Sequence, residues 1–234
     1  MRRAGRSRCR SRIISYCVWL YHRFPLSSRE VEELMLERGV VVSYETVRRR
    51  CLKFGQAYAN ALRRRRPRPG DKWHLDEAFS KINGELKYLW RAVDQDGNVL
   101  DILVQNRRDK AAARRFFRKL LKKTRSVARV VVTDKLRSYG AAHREVMPSV
   151  EHRSHKGLNS RAENSHQPTR QRERAIKGFR SVGGAQRFLA AQRHLTHFRP
   201  RRHLMTATNH RAEMTVRFAI WKQITGTAGL PATA

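Results

Sequence analysis

Three carboxylates stand out by place: Asp76 in "KWHLDEAFSKI", Asp134 closing "ARVVVTD", and Glu163 in "NSRAENSH". The first sits mid-way along a segment that reads as a β-strand. A charged Asp facing a core costs several kcal/mol unless it is paired or bound to a metal. The second ends a short apolar run, and carboxylates at the C-terminal ends of buried strands commonly meet a ligand. Two carboxylates brought together repel, and a divalent cation relieves the repulsion. Mg²⁺ prefers oxygen ligands and keeps waters free for substrate phosphates. A third carboxylate is expected from the final helix. Glu163 is the best placed, with Glu151 and Glu173 as further candidates. Arg170 lies about two helical turns past Glu163 on the same face, where a cation can hold a polyanion beside the metals. Each acid also has a plainer reading, since strand acids often solvate an edge and "TDK" is a common turn. Strand alternation puts Glu77 on the face opposite Asp76, in a structural or solvated place. Asp71 belongs to the end of a linker.

The elements that must position these groups follow from the pattern. "KWHLDEAFSKI", "LKYLWRAV" and "VLDILV" are strands, with Asp96-Gly97 of "DQDGN" at a turn, so they form an antiparallel meander. A helix follows in "DKAAARRFFRKLLKK", with Phe116, Phe117, Leu120 and Leu121 on its buried side. "ARVVVTD" reads as a strand buried on both faces. "KLRSYGAAHREV" is helical with a break at Gly140, and "SVEHRS" is a short fifth strand. A long helical stretch runs from near Arg161 to about His197, broken at Gly183-Gly184. The order β-β-β-α-β-α-β-α is that of an RNase H-like domain, an α/β fold with a mixed five-stranded sheet flanked by helices. It places strands one and four side by side, so Asp76 and Asp134 can converge. We assign it residues 71–200.

Ahead of it lies a helical region, residues 13–55. "IISYCVWLYHRF" closes at Pro25. "SSREVEELMLERG" has capping-box spacing at Ser27 and Glu30 and a stop at Gly39. "VVVSYETVRRRCLKFG" offers Ser43 as N-cap and Gly55 as stop. The two short helices match a helix-turn-helix, whose second helix reads bases from its N-terminal part. Tyr44, Glu45, Thr46 and Arg48 are then base-reading candidates, with Arg49, Arg50 and Lys53 on the same basic helix. A small helical bundle with a solvated basic face fits the same pattern. Residues 1–12 read as a basic tail, 56–70 ("RRRRPRPG") as a basic linker, and 201–234 as a basic helical extension.

The 234-residue chain carries 52 Lys+Arg against 19 Asp+Glu, a net charge of +33. Such a charge calls for a polyanionic partner, and nucleic acid is the natural one. At 40% hydrophobic content the chain is not a disordered basic tail. No long apolar run supports a membrane span, and the apolar stretch of a signal peptide is missing. Cys9, Cys17 and Cys51 lack CxxC spacing and read as reduced thiols of a cytoplasmic protein. His152 with His155, and His194 with His197, have ligand-like spacing. Without a Cys pair they fit helix-surface or DNA-facing roles better than zinc.

"ISYCVWLYHRFPLSSREVEELMLERGVVVSYETVRRRCLKFG", "DKWHLDEAFSKINGELKYLWRAVDQDGNVLDILVQ", "RRDKAAARRFFRKLL", "VVTDKLRSYG" and "NSRAENSHQPTRQRERAIKGFRS" closely resemble the DDE transposases of the IS six family of bacterial insertion sequences. The resemblance runs from about residue 14 to about residue 200. It implies an RNase H-like core and a catalytic, metal-binding triad of Asp76, Asp134 and Glu163. It further implies two Mg²⁺ ions, which Mn²⁺ can replace, with Arg170 as the basic residue after the Glu. The expected activity is nicking of transposon ends and joining of their 3′-OH groups to target DNA, by a replicative, cointegrate-forming route. The expected partners are DNA (terminal inverted repeats and target) and a second copy of the chain, in the bacterial cytoplasm at the nucleoid. The alternative is a non-catalytic helix-turn-helix DNA-binding protein, or a decayed transposase that only binds.

Overall fold

The computed structural model describes residues 2–65, 68–195 and 205–227. The chain divides into two compact units. One is built from helices α1 (Arg2–Arg23), α2 (Ser28–Leu36), α3 (Tyr44–Arg64) and α9 (Ala207–Ile224). The other runs from the first strand through α8 (Val182–Leu195).

In the helical unit, Ser27 and Glu30 complete the capping box that starts α2. Ser43 Oγ accepts from the Thr46 amide to start α3. Val47, Cys51, Ala59 and Leu62 form the buried stripe of α3, so its other face is left to solvent. Cys17 and Cys51 are free, buried thiols.

Several boundaries differ from the sequence reading. Helix α1 begins at Arg2, inside the segment read as a tail. Helix α3 does not stop at Gly55 but continues to Arg64, through much of the expected linker. Gly55 serves a close approach instead: a Cβ there would lie 2.7 Å from His22 Nε2. Helix α9 belongs to this unit and is not a separate extension. Phe218 packs edge-on against Trp19 at 4.9 Å, and Trp221 against Tyr58 at 5.2 Å.

The second unit holds a five-stranded sheet of β1 (Lys72–Ile82), β2 (Glu85–Asp94), β3 (Val99–Gln105), β4 (Val130–Thr133) and β5 (Glu151–Ser154), in the order β3-β2-β1-β4-β5. The first three strands are antiparallel; β4 lies parallel to β1, and β5 parallel to β4. The β1–β2 turn uses Asn83-Gly84, both at positive φ (51° and 81°), as a two-residue hairpin of this twist requires. At the β2–β3 turn, Asp94 Oδ1 accepts from the Asp96 and Asn98 amides, and Gly97 takes φ 80°.

Alternation gives the sheet two buried faces. Trp73, Leu75, Trp90 and Ala92 pack under Phe116, Phe117 and Leu120 of α4 (Lys110–Thr124) and Tyr139 and Ala142 of α5 (Arg137–Val146). Leu89, Val93, Ile102 and Val104 pack under Ala162, Phe179, Ala185 and Leu189 on the other side. Burying one large apolar side chain is worth about 1.5–3 kcal/mol, so these two layers hold the sheet rigid. Helix α5 runs through Gly140 unbroken. The C-terminal stretch divides into α6 (Ser160–Ser165), α7 (Gln167–Ala175) and α8. Its main break lies at 176–181, where Lys177 and Gly178 take positive φ, and not at Gly183-Gly184, which lie inside α8. This is the expected RNase H-like architecture.

Candidate active site

The site sits where the parallel pairing of β1 and β4 ends. The last partners in register are Leu75 and Thr133. Asp76 and Asp134 are therefore the next residues on each strand. Their carboxylates lie at the mouth of a notch that backbone hydrogen bonds no longer close. Asp134 is fixed locally: its Oδ1 accepts from the Leu136 amide at 3.1 Å, and its carbonyl accepts from Thr133 Oγ1 and Ser154 Oγ at 2.9 and 2.8 Å.

A third acid belongs here. One carboxylate oxygen each from Asp76, Glu77 and Asp134 falls within 4.8 Å of the others. The sequence reading left Glu77 structural or solvated, on the opposite face. It does point to that face, but its side chain is only 2% exposed. It lies beneath the fully buried Tyr139, whose hydroxyl faces the carboxylate. Arg108 answers its charge, with Nε donating to Oε1 at 2.6 Å. The same guanidinium stands 3.7 Å from Asp134 Oδ2.

Glu163 comes from α6, which is anchored to the sheet at three points. Asn159 Nδ2 donates to the Leu75 carbonyl at 2.7 Å, one residue before Asp76. Ala162 is fully buried. Arg91, the cross-strand partner of Asp76, is buried and donates to the Ser165 carbonyl and to Thr169 Oγ1. An Arg directly opposite an Asp on a strand pair was the signal for this anchor in the sequence. These contacts leave Glu163 exposed and close enough to Asp76 to act on it through space. Arg170 lies on the exposed face of α7. Glu151 instead pairs with Arg153 on β5, and Glu173 accepts from Ser80.

The electrostatics fit a cation site. Burial, with Glu77, Asp134 and Glu163 as like charges, pushes the Asp76 carboxyl up to about 7. Burial also raises Glu77. His166, 2% exposed, stands 3.5 Å from Asp76 Oδ2. Burial first, then Arg91 and Arg170, hold it well below the usual histidine range, so it is neutral and adds no positive charge. Crowded, partly desolvated carboxylate oxygens are a hard-donor set suited to Mg²⁺ or Mn²⁺.

The histidine pairs lie elsewhere. His152 Nε2 bonds Thr133 Oγ1 at 2.9 Å and its ring stacks on His143 at 4.7 Å. His155 Nδ1 accepts from the Gly157 amide. The His194 side chain and His197 fall outside the described residues. On α3, Tyr44, Arg48, Arg49 and Lys53 are exposed. Glu45 grips Arg48 through two 2.9 Å bonds and lies 3.9 Å from Arg49. The Thr46 hydroxyl lies 3.0 Å from Ser43 Oγ, within the helix cap.

Strand order and the carboxylates at the ends of β1 and β4 define the class: an RNase H-like core with an acidic, metal-suited centre. A family model described as a DDE domain matches residues 70–201. The transposase for insertion sequence-like element IS431mec of Staphylococcus aureus is 31% identical over 159 residues, which is 66% of this chain and 70% of that protein. The transposase for insertion sequence element IS257 in transposon Tn4003, also from Staphylococcus aureus, matches with the same identity and coverage. Among solved structures, the simian T-cell lymphotropic virus intasome in complex with PP2A regulatory subunit B56 gamma aligns with 73% of this chain and 59% of its own. That alignment has 14% identity and a TM-score of 0.40. The chain belongs to the DDE transposases of the IS six family.

Proposed function

We propose that this chain binds the terminal inverted repeats of its element, nicks the ends, and joins the freed 3′-OH groups to target DNA. The observation that carries this reading is the meeting of Asp76 and Asp134 at the open end of the β1–β4 pair, with Glu163 of α6 near enough to Asp76 to act on it through space. Asp76, Asp134 and Glu163 are the residues that would hold two Mg²⁺ ions, with Mn²⁺ able to substitute. Bound there, the ions supply Lewis acidity at the attacking oxygen and at the leaving oxygen. In the first step water attacks the end phosphorus, and the P–O3′ bond breaks to leave a 3′-OH. In the second, that 3′-OH attacks a phosphorus of the target, whose own 3′ oxygen departs. No protein nucleophile is consumed, and the outcome is replicative, with cointegrates as product.

Tyr44, Thr46, Arg48, Arg49 and Lys53 at the head of α3 would face the terminal repeat as the second helix of a helix-turn-helix. Arg170 would hold a phosphate near the carboxylates. Two ends must be joined together, so the working form is at least a dimer. Among the described residues no helix is long and apolar enough to cross a membrane, and the proposed setting is the bacterial cytoplasm at the nucleoid.

The test is Asp76→Ala. It should keep terminal-repeat binding and lose Mg²⁺-dependent nicking and strand transfer by about 10³-fold or more, beyond the usual effect of deleting one electrostatic group. An unmutated protein that binds the repeats yet cuts nothing in Mg²⁺ or Mn²⁺ would leave only the DNA-binding reading.

A further inference from the structure

Arg108 has more than a structural partner. It stands in the loop between β3 and α4, one residue before Asp109, whose side chain caps α4 by accepting from the Ala112 amide at 2.8 Å. The backbone of this loop is thus fixed. Its guanidinium is tethered on one edge: Nε and Nη2 reach Glu77 Oε1, and Nη2 faces Asp134 Oδ2 at 3.7 Å. Nη1 has no protein partner among the described residues, and the side chain is 43% exposed. Glu77 is the reverse: nearly inaccessible, with Arg108 as its one cationic partner among the described residues. A surface ion pair would leave both members in water. Here the acid is buried and the base is held at the rim of the catalytic carboxylates, with one edge of its fork open.

We propose that Arg108 contacts a non-bridging oxygen of the scissile phosphate, and that Glu77 is the positioning residue that aims it. This rests on the transposase reading of the same carboxylates. A planar guanidinium suits phosphate oxygens in a way that a lysine ammonium does not. Its tether spares the reorganisation that a free surface arginine needs before it can stabilise developing charge. Glu77 could instead be a fourth metal ligand, since its carboxylate falls within the acidic cluster. Its Oε1 is already taken by Arg108, which favours the positioning role.

The experiment uses the full chain and a duplex of the terminal repeat. That duplex carries either a normal scissile phosphate or a neutral methylphosphonate there. Affinity is read by anisotropy in Ca²⁺, without turnover. Removing the phosphate charge should weaken binding by the wild type about tenfold more than by Arg108→Ala. Equal penalties in the two proteins overturn the proposal. In Mg²⁺, Arg108→Ala should nick about 10²-fold more slowly at saturating duplex, beyond its about tenfold weaker binding of the normal repeat. Added guanidinium should restore part of that rate and an ammonium salt should not. Glu77→Gln should slow nicking less, and the double variant should be no slower than Arg108→Ala, with Mn²⁺ affinity unchanged. Loss of Mn²⁺ binding in Glu77→Gln would make Glu77 a ligand and remove its positioning role. A wild type that does not nick but shows the phosphate–Arg108 coupling would sink the enzymatic reading and leave this contact standing.

Discussion

Helices α4 and α7 are both densely basic, yet they handle their charge in opposite ways. On α4, Lys110, Arg114 and Arg118 gather around Glu145 at 3.3, 2.8 and 3.6 Å. Lys119 and Lys123 close on the buried Asp101 at 3.1 and 2.9 Å. On α7 and just past it, Arg170, Arg174 and Lys177 are exposed at near-helical spacing, and none has an ion-pair partner among the described residues. This uncompensated positive stripe begins about two turns after Glu163. The adjacent negative cluster is only partly balanced by Arg108, and burial, reinforced by its like charges, pushes the Asp76 carboxyl up to about 7. A net charge of +33 says that a polyanion is wanted but not where. The sites are marked by charge left unpaired on both sides of one short helix.

The largest expected effect tests the compensated side. Asp101→Ala leaves two lysines facing a buried gap. Breaking a buried pair costs about 3–5 kcal/mol, read as a lower urea midpoint with the slope unchanged. An unmoved midpoint would show that Asp101 does not hold these lysines, and the contrast with α7 falls.

The next effect lies in the acidic cluster. Burial, with its like-charged neighbours, pushes the folded Asp76 carboxyl from its ordinary 3.8 up to about 7. Between those limits the folded protein keeps a proton that the unfolded chain has released. Its contribution to stability therefore falls as pH rises from about 4 to about 7 and is level above that. Asp76→Asn removes this loss. The metal-free variant should be more stable than wild type by about 4 kcal/mol at pH 8 and nearly equal at pH 4. Mg²⁺ should raise the wild-type midpoint at pH 8, less at pH 6, and leave the variant unmoved. A gap independent of pH would show that the like charges do not strain the metal-free site.

Much of this was legible in the sequence, for physical reasons. Period-two alternation and β-branched residues mark β1 and β4. The order of elements makes them neighbours, and the register then places Asp76 beside Asp134 without further information. Glu77 shows where such reasoning stops. Alternation gives the face of a side chain but not what covers it, and Tyr139 and Arg108 come from 62 and 31 residues away in the chain. Gly55 misled because a helix uses glycine either to stop or to admit a neighbour, and His22 decides which. At Gly183-Gly184, Ser181 Oγ accepts from the Gly184 amide at 3.1 Å and helps start α8 where a break was expected. Asn159, which helps hold Glu163 in reach, is a tertiary contact that no local pattern encodes, and Arg91 comes into view only once the β1–β2 register sets it opposite Asp76.

The smallest effect is the sharpest test of the contrast. Replacing Arg170, Arg174 and Lys177 together by Ala should leave stability within about 0.5 kcal/mol, as for surface sites without special contacts. If each cation neutralises one phosphate, log K against log salt becomes shallower by about 2–3, and terminal-repeat affinity near physiological salt drops about tenfold. Glu145→Gln on α5 is the counterpart for α4. It frees Lys110, Arg114 and Arg118 from their shared acid, and exposed pairs of this kind contribute only about 0–1 kcal/mol to folding. The variant should therefore stay folded and bind random duplex DNA about two- to threefold more tightly, with a steeper salt slope. If Glu145→Gln leaves random-duplex binding unchanged, compensation by Glu145 does not keep α4 off the DNA. If it tightens binding while the α7 replacement weakens it, the acids that face α4 from α5 and β3 confine a very basic protein to one productive face.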